Sequence, residues 1–154
     1  MSFLSITNLI EAPKFENIPM LYCARYAVMA AEVLSGAKYV LGDAWELGGK
    51  NTIIENDVKN LRNSLELLVP GESIVIFHNP FSSYNKEGRI GTHAALYLGR
   101  NRDLYFAQQY FSKQKAASLR SLRRKLLKPR QILAPKQAVP QFKIELNKEV
   151  IKLC

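Results

Sequence analysis

The apolar positions of this chain change their period several times, and each change marks an element. In PMLYCARYAVMAAEVL, from Pro19 to Leu34, Tyr26, Ala30 and Val33 lie three to four apart, as do Ala27, Ala31 and Leu34. That spacing predicts a helix, and its mostly apolar circumference predicts a buried central one that stops at Ser35-Gly36. GAKYVLGDAWELGG follows, punctuated by Gly36, Gly42, Gly48 and Gly49, and reads as a loop with little regular structure. From about Glu55 to Leu68, the apolar series Ile54, Val58, Leu61, Leu65, Leu68 steps by four and three. This predicts an amphipathic surface helix stopped by Pro70-Gly71.

The period then shortens. SIVIFH, Ser73 to His78, is a β-branched run between Pro-Gly and Asn79-Pro80 and reads as a strand. His93 to Gly99 and Asp103 to Tyr110, joined by the turn residues Arg100 to Arg102, read as a hairpin that starts on His93. Leu119, Leu122 and Leu126 keep helical spacing until Pro129, which predicts a short basic helix. Phe142 to Leu146 and the terminal VIKL read as strand material. Helices first and an antiparallel sheet afterwards make an α+β arrangement.

With 154 residues, 47% of them hydrophobic, the chain fits one domain with a real core. MSFLSITNLIEAPKF lacks the basic start, apolar stretch and small-residue cleavage site of a secretory signal, and no apolar run approaches a membrane span. The expectation is a protein made in the cytoplasm that reaches any outside target by a non-classical route, by lysis or in a particle. The formal net charge of +9 points to anionic partners: nucleic acid, lipid headgroups or an anionic wall polymer. Cys23 and Cys154 are too few for a disulfide framework. A bridge between them would occupy the thiol on which the next step depends.

Cys23 falls in or just before the first turn of the first helix, where the helix dipole and unpaired N–H groups favour thiolate. Thiolate is the nucleophile of cysteine hydrolases. His93 follows far enough along the chain for a sheet to fold back against the helix, which makes it the candidate general base. A third polar group should hold the imidazole, and Gln108 and Gln109 stand side by side on opposite faces of the next strand. Gln108 is preferred and Gln109 remains the alternate. Two histidines without clustered carboxylates give no metal-ligand set, and no cofactor is implied.

These motifs resemble, in order, those of the NlpC-like and CHAP-like cell-wall peptidases of the papain-like superfamily. LYCARYAVMAAEVLSG followed by GDAW is similar to their nucleophile helix and loop, PGESIVIFH to their strand entry, and GTHAALYLG to their histidine strand. The likeness runs from about Pro19 to Gln109. It implies a papain-like fold with the nucleophile helix packed on an antiparallel sheet, Cys23 as nucleophile, His93 as base and Gln108 or Gln109 as orienting residue. It further implies cleavage of an amide or isopeptide bond in a wall peptide, with the oxyanion held by the backbone N–H of Cys23. Tyr22 and Asn17 are candidate side-chain donors, and Asp43 and Trp45 candidate cleft walls. The chain departs from the family pattern at Tyr22, where many NlpC-like members carry Asp, and at the third polar position, where His or Asn is common.

Outside this core, Arg120, Arg123, Arg124, Lys125, Lys128 and Arg130 form a basic segment suited to an anionic polymer. Two other readings stay open beside the hydrolase: a papain-like acyltransferase or deamidase, and a basic structural or virion binding protein that keeps the fold without catalysis.

Overall fold

The computed structural model describes residues 11–81 and 92–136. Helix α1 (Cys23–Ser35) leads into a short α2 (Leu47–Lys50) and strand β1 (Thr52–Asn56). Two single 3-10 turns, Leu61–Asn63 and Leu65–Leu67, precede β2 (Ile74–His78). Then come β3 (His93–Asn101), β4 (Asp103–Tyr110), β5 (Lys113–Ser118), α3 (Leu119–Arg124) and β6 (Lys128–Ala134). The strands form one six-stranded antiparallel sheet among the described residues, in the order β1-β6-β2-β3-β4-β5. The architecture is α+β.

Alternation along β2, β3 and β4 gives the sheet two apolar faces. One takes Ile74, Ile76, Ala94, Leu96, Leu98 and Ala107 and is covered by Tyr26, Ala27, Ala30 and Ala31 of α1. Small alanines let the helix lie close. The other takes Val75, Phe77, Ala95, Tyr97, Leu104 and Phe106 and is covered by Leu119 and Leu122 of α3 together with Val58, Leu61 and Leu68. Phe77 and Phe106 meet edge to face there, with ring centroids 5.4 Å apart.

Three expectations change. α1 packs on one face only, and Val33 is 63% exposed, so the helix is a cover on the sheet with an outer stripe in solvent. The helix expected from Glu55 to Leu68 does not form. Thr52, Ile53, Glu55 and Asn56 instead pair with β6, with Ile54 at the irregularity between them, and Asp57 turns the chain with φ 56°. The Asn60 side chain then accepts the Arg62 N–H, and Ser64 separates the two 3-10 turns. Side chains that bond locally to the backbone compete with helix here, and the leucines reach the core from turns. The basic helix does form, but it is flanked by β5 and β6. Pro129 lies within β6 opposite Phe77, at the irregularity in the β2–β6 pairing, a place in a sheet that tolerates proline. The loop after α1 contains α2, where a Cβ on Gly48 would lie 2.6 Å from Gln131 Oε1 and displace that side chain. Phe142 to Leu146, the VIKL segment and Cys154 lie outside the described residues.

Candidate active site

α1 begins on Cys23, so the thiol stands at the helix N-terminus as the sequence predicts. The chain enters by an unusual route. Leu21 adopts φ 70°, a left-handed conformation that costs a bulky residue about 1–2 kcal/mol, and must be held there. Two bonds to the end of β4 and the turn beyond it hold it: Leu21 N–H donates to the Phe111 carbonyl at 3.3 Å, and Gln109 Nε2 donates to the Pro19 carbonyl at 2.8 Å. Gln114 extends this chain of amides, donating to Gln109 Oε1 at 2.9 Å and accepting from Phe15 N–H at 2.7 Å.

The thiol opens on a cleft of about 460 Å³. Its walls include Met20, Leu21, Tyr22, Leu41, Asp43, Trp45 and Thr92. Met20, Leu21, Tyr22 and Leu41 are exposed, giving the rim an apolar character. Tyr22 takes the N-cap position without a side-chain cap bond, and the Arg25 guanidinium stacks over its ring at 5.2 Å. Asp43 and Trp45 are therefore cleft walls, as expected. Asn17 is not: it lines a separate depression with Lys14, Phe15 and Gln114, because its own φ of 65° turns the chain away before Pro19.

Burial pushes the Cys23 thiol above the ordinary cysteine range, and the Asp43 carboxylate adds to this. The backbone N–H groups of Ala94, Ala24 and Cys23 itself pull the other way. These groups suit a sulfur anion and, after attack, a carbonyl oxyanion. Contact with Ala94 places the thiol at the start of β3, one residue from His93.

His93 is 4% exposed and opens β3 directly opposite Phe77. Opposed residues share a face, so its ring sits on the α3 side, with Phe77 at 6.4 Å and Tyr110 at 5.8 Å between centroids. Gln108 lies on that face too, and its Oε1 stands 2.6 Å from His93 Nε2. An amide oxygen only accepts, so Nε2 carries the proton and Nδ1 presents the lone pair. Gln109, on the other face, holds the lead-in to Cys23 and is not an orienting residue for the imidazole. Burial lowers the His93 pKa to about 4; the Gln108 bond raises it and the Lys125 charge lowers it further.

Thiol and imidazole thus meet the same end of β3 from opposite faces, and among the described residues no hydrogen bond joins them. Thr92, not His93, is the β3-proximal side chain in the thiol's cleft. Its place was open to strand parity, since every second residue from Leu96 and Ala94 points toward α1. His78 ends β2 at the Asn-Pro turn, with burial and the Arg130 charge lowering its pKa.

The basic segment divides between exposed and engaged side chains. Arg120, Arg123, Arg124 and Lys128 are exposed, Lys125 stacks over Tyr110 at 5.0 Å, and Arg130 pairs with Asp57 at 2.9 Å. Among the described residues no cluster of three His, Cys, Asp or Glu side chains is placed to hold a metal, and no helix is long and apolar enough to cross a membrane.

No family model, curated protein or solved structure matches the chain. The functional argument therefore stands on these residues and their geometry.

Proposed function

We propose that the chain is a papain-like cysteine hydrolase of the NlpC and CHAP type, cleaving amide or isopeptide bonds, with cell-wall peptide as the leading substrate class. The observation that carries it is the bond from His93 Nε2 to Gln108 beside a thiol at a helix start. It fixes the tautomer in which Nδ1 is a base.

In the reaction, Nδ1 takes the thiol proton and Sγ attacks the substrate carbonyl carbon. The oxyanion is held by backbone N–H groups at the start of α1, and the imidazolium returns the proton to the leaving amine. A thioester remains on Cys23. Water attacks it, giving its proton to His93, and the carboxylic acid leaves as the thiol is restored.

The resting site is uncharged. Burial raises the thiol's pKa and lowers that of the imidazole to about 4, so proton transfer from one to the other is unfavourable in the resting site. Turnover therefore requires substrate in the cleft to draw Nδ1 and Sγ together, where each raises the other's reactivity; catalytic bonds commonly tighten only in the substrate complex.

Hydrolysis of a defined wall-peptide fragment tests the reading. Cys23→Ala should abolish it, and His93→Ala should lower it by about 10²–10⁴-fold. Undiminished turnover in Cys23→Ala refutes the assignment. The apolar rim favours a second reading, transfer of a lipid acyl group, which phospholipid turnover in place of peptide cleavage would establish. The seating of thiol and imidazole on opposite faces favours a third, a fold kept for binding, for which neither substrate is turned over.

A further inference from the structure

The opposite end of β3 carries a second site. A cleft of about 530 Å³ opens at the β3–β4 turn, lined by Arg62, Arg102, Asp103, Tyr105, Ser118 and Arg120 among others. Three arginines and one carboxylate are among its lining residues. Asp103 Oδ1 accepts from Arg62 Nη2 at 2.7 Å, while Asp103 Oδ2 accepts the Arg120 backbone N–H at 3.1 Å. Asp103 thus fixes two sides of the cleft and neutralises only Arg62. The guanidiniums of Arg102 and Arg120 have no acceptor among the described residues.

Arg102 is placed there against its backbone preference. It forms the tip of the hairpin between paired Asn101 and Asp103 with φ 69°, where glycine or asparagine is the easy choice. Along α3, Arg123 and Arg124 follow Arg120 by three and four positions and so extend its exposed face.

We infer, resting on the wall-peptide reading above, that this cleft, continued by Arg123 and Arg124, binds the phosphate groups of a polyol-phosphate wall polymer. Planar guanidiniums match phosphate oxygens in pairs, and arginine, not lysine, supplies every cation in the cleft. The site is concave, which fits a chain threading through it and not the flat plane of a bilayer. Single-stranded nucleic acid asks for stacking platforms, but the Tyr105 ring packs against the α1-side core. β3 spans nine residues, so the cleft lies about 26 Å from the thiol and leaves it open. The polymer anchors the protein while the distant site works.

Anisotropy of a labelled poly(glycerol phosphate) tests this with the whole chain. Arg102→Gly with Arg120→Ala should weaken binding by roughly tenfold and flatten its salt dependence. Cys23→Ala should bind like the parent, whether or not the thiol proves catalytic. Glycine relieves the turn at position 102, so Arg102→Gly alone should keep or raise the melting temperature while binding falls, separating lost contact from lost fold. Unchanged affinity in the double variant overturns the proposal. So does equal or tighter binding of a DNA oligonucleotide, or of anionic phospholipid vesicles, at matched charge.

Discussion

On the face covered by α1 the sheet meets a row of alanines and a thiol that looks onto a cleft, whereas on the face covered by α3 it meets phenylalanines and an imidazole sealed beneath Tyr110. Each face is served by one of two adjacent glutamines. Gln109 holds the strained lead-in to Cys23 and Gln108 holds the ring of His93. The thiol borders the cleft with its charged form disfavoured by burial, and the imidazole is oriented but withdrawn. The sheet seats the two groups on opposite sides of one strand, and burial favours the uncharged form of each.

The largest effect that sharpens this contrast is on acid stability. The His93 pKa is lowered from 6.5 to about 4 in the folded chain, so protonation favours unfolding. The contribution is complete above about pH 6.5 and is lost as pH falls toward 4, by roughly 3 kcal/mol in all. Denaturant unfolding at pH 7 and pH 4.5 measures it. His93→Gln should lose distinctly less stability over that interval than the parent, and equal losses would mean the imidazole is not sealed.

Next come the glutamines. Gln108→Ala frees Nε2 and should lower turnover by roughly ten- to a hundredfold with little change in KM, with Gln108→Asn recovering part of it. Gln109→Ala should instead lower stability by about 1 kcal/mol, the worth of a typical hydrogen bond, with a smaller effect on rate. Equal kinetic effects from the two substitutions would dissolve the division of labour between the faces.

Much of this was open to reading in the sequence where local signals agree with tertiary packing. The end of α1 at Gly36, the strand ending on His78 and the hairpin from His93 follow from spacing and turn residues, whereas the helical stretch read from about Pro19 placed the start of α1 only to within a turn of Cys23. Ile54 to Leu68 misled because leucines at helical spacing also suit successive 3-10 turns, and Asp57, Asn60 and Ser64 choose the turns. β5, with Lys113-Gln114-Lys115, has no strand signature and exists because β4 offers an edge to pair with. In the site, His93 was legible with either Gln108 or Gln109 as its partner, Gln108 preferred, but which of the two shares its face was not. Parity through the irregularity between Tyr97 and Gly99 decides that, and a one-residue shift turns every side chain over.

The central claim is that Cys23 and His93 act together across that strand. Intact-protein mass spectrometry after quenching with excess activated acyl-peptide ester tests it most directly. The parent should gain one acyl group on Cys23, and His93→Ala should gain it at least about a hundredfold more slowly at neutral pH. Acylation of His93→Ala at the parent rate, or no adduct on the parent, would contradict the account.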